Sequence, residues 1–512
     1  MDEYAYSRYL WGRYHLWVGS CAYTVCPHGM QDGAAGVLLK QLSGSSLTSN
    51  ATERIIFEKA FIRLTLRDPA EAWTSGQWMT EPAGESDVSG TQTTASYEPT
   101  VDQGITDLDR NPLGPWVLRG FKWFTSATDS DMAIILAKTK TGLSIFYAPT
   151  KLQTREPLKQ DVTLLNGIYV RRLKSKLGTR AVPTAELELE SVRGYLVGKE
   201  GDGIREIAHM LNITRVNNAV TCMGFYGRAI AISKAFASAR NMIGKGSTRN
   251  LTTIPLHVHT MAQHQLIYRA QMAMTFFVVY LLGISERDYS YVGLTTIATE
   301  RLKPATTEDV DFLLRLFTPV NKAVTAKAAI AGVQEFLESL GGIGYLENEE
   351  SPEFNIARLY RDVNVCSIWE GTTDILGTDF IKVVKGRRGS ETLLAMDRCM
   401  LTRPLPLLPS STSYSGNETS GKQRVQKESF DDLVLFARGH MQQLSNCVIG
   451  TILVVDAERD SDPVSGEILR RFASQNGFGG TGFLNRTTAE EAAWDHRIVF
   501  EESNGFHRES KL

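Results

Sequence analysis

Residues 204–244 run on without a single proline, and alanine, glycine and serine recur along them. No other stretch narrows the fold as much. Strands rarely approach that length, and a helix so long tolerates small residues where neighbouring helices press close. The run is expected to form one long helix, or two in sequence, packed in a bundle. Further helical runs cover 256–285, 307–317, 321–341 and 427–475.

Upstream, the hydrophobic period changes. In TAELELESV (184–192), Ala185, Leu187 and Leu189 alternate with Glu186, Glu188 and Glu190. Period two predicts a strand with one wet face. Residues 116–126, 132–139, 143–149 and 167–178 also read as strands, with 97–115 as a long loop. Near the start, 34–42 and 50–64 read as helices, the second capped by Asn50 with Glu53 at the capping-box spacing. Residues 402–424, rich in Pro, Ser and Thr, read as a linker. The expected class is α+β: a shortened N-terminal helical segment (1–74), a middle β-barrel-like domain (75–200), a C-terminal helical bundle (201–390), a linker (391–425) and a helical tail (426–512).

Composition removes several function classes. A chain of 512 residues with 42% hydrophobic and 22% charged residues is globular. Its formal net charge of -2 gives no general pull towards nucleic acid. The tail from 401 to 512 carries 12 basic and 15 acidic residues, the wrong sign for a phosphate-binding surface. The six cysteines form no CxxC pair, so neither a metal site nor a disulfide framework is expected. The most apolar run, MAMTFFVVYLLGI (272–284), is too short to span a bilayer and reads as a buried helix. His257 and His259 stand at i, i+2, so they do not share a helix face and read as structural. The start MDEYAYSRYL is no secretory signal. Ser510, Lys511 and Leu512 match the address read by the peroxisomal import receptor, which makes the peroxisome the expected location.

Three segments carry chemistry. WMTEPAGESDVSG (78–90) gathers hydroxyls, glycines and backbone amides into a turn-rich stretch that can donate to a flat polar ring or a phosphate. In GFKWFTS (120–126), Trp123 and Thr125 share a strand face, so a ring could be stacked and hydrogen-bonded there. The third is LGGIGYLENEESPEFNIARLYRDVNVCSIWEGTTDIL (340–376). Gly341 and Gly342 permit close backbone approach to a phosphate. Glu370, between Trp369 and Gly371, is placed to serve as a base.

Together, in this order, the three segments resemble the FAD-dependent acyl-CoA dehydrogenases over about 75–385. RLYRDVNVCSIWEG looks most like the AidB-like branch, and peroxisomal fungal members are similar. The resemblance implies removal of an α-proton from an acyl-CoA by Glu370, hydride transfer to flavin N5, and a trans-2-enoyl product. It implies that Met79, Thr80 and Ser86 line FAD, with Trp123 over the isoalloxazine, Thr125 near N5 and Thr372 on the cofactor. Arg240, in SARNMIG (238–244), is implied to pair with the pyrophosphate of a neighbouring subunit's FAD. Gly341 and Gly342 are implied to hold its adenosine side. Arg215 and Trp369 fall on the substrate side. FAD sites shared in this way imply a homo-oligomer, a tetramer or dimer of dimers.

The chain departs from the family pattern at several places. Ile243 replaces an aromatic residue, Asn212 an acid, Glu85 a glycine and Glu338 a glutamine. Alternatives are an oxidase-like enzyme that passes electrons to oxygen, and a catalytically weak AidB-like flavoprotein with a binding or structural role. Fungal pathways to fatty-acyl-derived toxins are one setting that the resemblance suggests.

Overall fold

The computed structural model describes residues 7–21, 23–43, 51–85, 87–99, 104–154, 164–244, 247–286, 301–351, 354–400, 428–460, 462–478 and 486–500. Asn50, Ser86, the 402–424 linker and Ser510–Leu512 lie outside them. The chain divides into two compact units, residues 21–217 and residues 1–20 with 218–512. Helix α1 (Ser7–Trp17) belongs to the second unit.

The unit of residues 21–217 holds α2 (Val25–Ser43), α3 (Ala51–Thr65) and the sheets. Its main sheet contains β1 (Ser75–Trp78), β2 (Thr94–Tyr97), β4 (Trp116–Ser126), β5 (Met132–Lys138), β6 (Leu143–Pro149), β9 (Ile168–Leu173) and β10 (Thr184–Val197). The short strands β3 (Ile105–Asp107), β7 (Lys151–Thr154) and β8 (Leu164–Leu165) form a second sheet. In the main sheet Trp78, Leu118, Ile135, Phe146 and Leu187 meet in one apolar core. Removing such side chains from water is the main drive for the layer. Phe57 of α3 seats edge-on against Tyr147 and Tyr195, with ring centroids 5.9 and 6.4 Å away.

Two expectations for this unit need correction. The sheet is not a closed barrel: among the described residues β2 meets β5 at the single pair Thr94–Lys138, while β1 pairs only with β5 and β9 only with β10. Nor is the glutamate face of β10 uniformly wet. Glu186 is buried, because β9 lies alongside and supplies Arg172, at 2.7 Å, while Lys174 just beyond its end lies at 2.5 Å. Of the three glutamates Glu190 alone is exposed, and register shifts in β10 interrupt the simple alternation.

The long proline-free run forms a single helix, α4 (Gly203–Ala239), followed by the hairpin β11 (Asn241–Gly244) and β12 (Ser247–Asn250). Residues of α4 up to Asn217 belong to the sheet-containing unit, where Gly33 and Gly36 of α2 face Met210 and Ile213. A Cβ on either glycine would come within 2.9 Å of those side chains.

The other unit contains α5 (Pro255–Ser285), α6 (Thr307–Ser339), α7 (Ile356–Val363), α8 (Thr373–Lys385), α9 (Gly389–Met400), α10 (Phe430–Leu435), α11 (Ala437–Asp460), α12 (Pro463–Gln475) and α13 (Thr488–Phe500). By length and composition α5 could cross a membrane, yet 61% of its most apolar window is buried within the protein. The helices expected over 307–317 and 321–341 are one, running through Pro319. Proline removes one backbone donor, and here Pro319 lies in a fully buried stretch with Phe317, Thr318 and Val320, so packing outweighs the loss. Helix also replaces the first ten residues of the expected linker. Thr392, Ala395, Met396 and Cys399 form a buried i, i+3, i+4, i+7 stripe that holds α9 to the bundle.

Candidate active site

Two of the three motifs lie side by side on the sheet. Met79 is buried and Thr80 half-buried just after β1, and the Thr80 carbonyl accepts the Trp123 N–H at 2.9 Å. Trp123 is partly exposed on β4. The Lys174 ammonium lies 3.2 Å from its ring centroid and 2.5 Å from Glu186. This is cation–π geometry on one face of the indole. Thr125 is fully buried, and its hydroxyl donates to the Ala185 carbonyl at 2.7 Å. Glu85, at the position where the family has glycine, takes the left-handed backbone that glycine favours, with φ 43°.

An ion pair missed by sequence reasoning fixes the first motif. The Glu81 carboxylate, 3% exposed, meets the Lys122 ammonium, 0% exposed, at 2.6 Å. Glu81 also accepts the amides of Gln92 and Thr93, and Lys122 donates to the Leu136 carbonyl. Burial pushes the Lys122 ammonium down to about 8 despite its partner. Burial opposes the Glu81 charge, but Lys122 and the hydrogen bonds still hold its carboxyl below the ordinary range. The available signal is a lysine between Phe121 and Trp123 in the second motif and a glutamate in the first.

Within the helical unit, the third motif ends in a turn leading into α8. Glu370 has φ 56° and Gly371 φ 99°, two left-handed residues in succession. Such a backbone is unusual for glutamate, and strain of this kind gathers at functional sites. The fully buried Lys322 of α6 donates to the Gly371 carbonyl at 2.5 Å. Asn218 of α4 accepts Trp369 Nε1–H at 2.7 Å and donates to the Cys366 carbonyl at 3.0 Å. Thr372 is the N-cap residue of α8, yet its hydroxyl makes no cap hydrogen bond.

The ends of α4 and α6 are tied together. Ser233 donates to the Phe336 carbonyl at 3.1 Å and bonds the Ser339 hydroxyl at 2.8 Å. Arg240 follows directly after α4 and Gly341 follows the Leu340 cap of α6, and both are exposed. Gly341, with φ 62°, ends α6 in the left-handed form usual after a helix. A Cβ on Gly342 would meet nothing within 4 Å. Glu338 is exposed. Arg215 is buried on the part of α4 that belongs to the unit of residues 21–217. Among the described residues no group of His, Cys, Asp and Glu could hold a metal ion.

Comparison with known proteins locates these elements. Residues 76–192 match the acyl-CoA dehydrogenase middle domain, and residues 294–384 match the acyl-CoA dehydrogenase C-terminal domain. Acyl-CoA dehydrogenase family member 11 of Caenorhabditis elegans is 35% identical over 383 residues, covering 73% of this chain and 54% of the relative. AidB of Escherichia coli is 31% identical over 376 residues, covering 73% of this chain and 59% of that protein. The chain therefore spans between half and two-thirds of the length of these curated relatives. Among solved structures, C. elegans ACDH-11 in complex with C11-CoA superposes with a TM-score of 0.72 at 29% identity, covering 96% of this chain and 78% of the other. The apo form of Bd2924 gives a TM-score of 0.70 at 31% identity, over 88% of this chain and 78% of the other. The first two motifs fall within the matched middle domain and the third within the matched C-terminal domain, and the chain belongs to the acyl-CoA dehydrogenase family.

Proposed function

We propose that this protein is an FAD-dependent acyl-CoA dehydrogenase that forms a trans-2-enoyl-CoA, with Glu370 as the base. The observation that carries the reading is the Glu370 turn: a carboxylate on a left-handed backbone, anchored by two buried polar side chains from different helices. Its similarity to a protein crystallised with C11-CoA supports an acyl-CoA as substrate.

The residues present fit a flavin dinucleotide. Trp123 offers a partly exposed ring, Thr372 a hydroxyl unused in capping, Arg240 an exposed guanidinium, and Gly342 an open approach to backbone. Bound FAD supplies a two-electron acceptor for the hydride that leaves the β-carbon. Trp123 and Thr80 are assigned to the ring, and Arg240 with Gly341 and Gly342 to the dinucleotide of a neighbouring copy. Glu370 takes the α-proton onto its carboxylate. A homo-oligomer, a tetramer or dimer of dimers, follows from that sharing. Exposed Ile243, Ile343 and Tyr345 beside Arg240 and the glycines support it.

The test is an absorbance spectrum of the purified protein, then anaerobic addition of an acyl-CoA series. A flavin spectrum that bleaches supports the reading, and sedimentation of the same sample checks the assembly. Protein that takes up no flavin when FAD is supplied overturns it.

A further inference from the structure

The backbone at Glu370 and Gly371 does not hold itself. A glutamate in the left-handed region costs on the order of 1 kcal/mol or more and persists where its surroundings over-determine it. Two side chains do so here, from opposite flanks of the turn. Lys322, 0% exposed on α6, places Nζ 2.5 Å from the Gly371 carbonyl. Asn218, 1% exposed on α4, holds both the Trp369 indole N–H and the Cys366 carbonyl. Residue 370 lies between the two anchors. With Trp369 fixed on one side and the 371 peptide on the other, the direction of the Glu370 side chain is set by α4 and α6.

The choice of Lys322 is informative. A carbonyl needs one donor, and a neutral group would supply it without the cost of taking an ammonium out of water. A charged donor makes a stronger hydrogen bond, and here that bond falls on a peptide next to the base. We propose that Lys322 and Asn218 are positioning residues that hold the 368–372 turn so that the Glu370 carboxylate meets the substrate α-carbon. This rests on the reading of Glu370 as the base.

The experiment uses the full-length flavin-loaded protein and the variants Lys322→Met, Asn218→Ala, Glu370→Gln and Lys322→Met with Glu370→Gln. Three quantities are read: the anaerobic bleaching rate with saturating acyl-CoA, the half-saturating acyl-CoA concentration, and amide hydrogen–deuterium exchange over 366–373. Lys322→Met is expected to slow bleaching about 100-fold, the penalty of a misplaced catalytic group. Half-saturation should stay near that of the parent, and exchange at 370–372 should quicken. Added to Glu370→Gln, the same change should cause no further loss, because it acts through a base that is already gone. Should Lys322→Met not fold, Asn218→Ala and Lys322→Gln carry the same measurements. Parent-like bleaching and exchange in the lysine and asparagine variants, beside a dead Glu370→Gln, overturn the positioning role alone. Independent losses that multiply in the double variant overturn it too. Unimpaired bleaching in Glu370→Gln overturns the base assignment itself.

Discussion

Glu370 shows what one position can and cannot disclose. Its carboxylate, between a tryptophan and a glycine, is legible as a candidate base in the sequence. Its left-handed backbone is not, because φ depends on anchors more than forty residues away. Lys322 is less legible still: within NKAVTAKAA it reads as one charge on a solvated helix face, and only its zero exposure reveals the role. The strain makes a prediction. Glu370→Gly should raise stability by about 1 kcal/mol, since glycine occupies the left-handed region without penalty. The same change should abolish flavin bleaching by acyl-CoA. Chemical denaturation beside the anaerobic assay reads both effects, and a variant less stable than the parent would show that the turn is unstrained.

Elements were read with uneven success, and for identifiable reasons. The strands at 116–126 and 143–149 match β4 and β6 because Pro, Gly or Asp residues bound apolar runs. Helix α6 was cut in two at Pro319 because local propensity says nothing of the packing that carries a helix through. That packing is tight. A Cβ on Gly332 of α6 would lie 2.1 Å from the Tyr226 ring of α4, and the Tyr226 hydroxyl is held by His264 Nδ1 at 2.8 Å. Gly332→Ala should therefore destabilise the protein by about 2 kcal/mol through overpacking, despite the better helix propensity of alanine. Thermal melting decides between those opposed effects.

Helices α12 and α13 are joined by charge. Glu467, with 2% of its side chain exposed, meets Arg470, Arg471 and Arg486 at 2.6–2.8 Å, and Arg471 reaches Asp495 at 2.5 Å. Burial works against the Glu467 charge, but the three guanidinium groups outweigh it and bring the carboxyl down to about 2. An unfolded glutamate takes its proton near its ordinary value of 4.5. As pH falls through that window the unfolded chain binds more protons, so stability is lost between about 4.5 and about 2. Melting temperature should fall more steeply between about pH 5 and about pH 3 in the parent than in Glu467→Gln. At neutral pH the variant should be the less stable by roughly 3 kcal/mol, having left arginines without their acid.

At the scale of the whole molecule, the order of helices, strands and helices was legible because the hydrophobic period changes twice along the chain. The openness of the sheet was not, since closure depends on strand pairing that period two cannot specify. All six cysteines are described and none forms a disulfide. Burial pushes the Cys222, Cys399 and Cys447 thiols up, and five of the six cysteines are buried. A thiol reagent at neutral pH should therefore react slowly with the native protein and reach six groups per chain only in denaturant. Fast reaction of several thiols in the native state would contradict this packing.

Lys122 has one more consequence. Acyl donors such as thioesters modify amines. An amine whose pKa is about 8 is deprotonated near neutrality far more often than an ordinary lysine, so it is the more dangerous nucleophile. The burial that lowers its pKa also leaves it 0% exposed. Unfolding exposes the amine but also returns it to the ordinary lysine value of 10.5, so the reactive form and the reachable form never coincide; an acyl group on that nitrogen would remove the charge that Glu81 needs. Damage there would mark molecules that had once come apart and keep them from closing again.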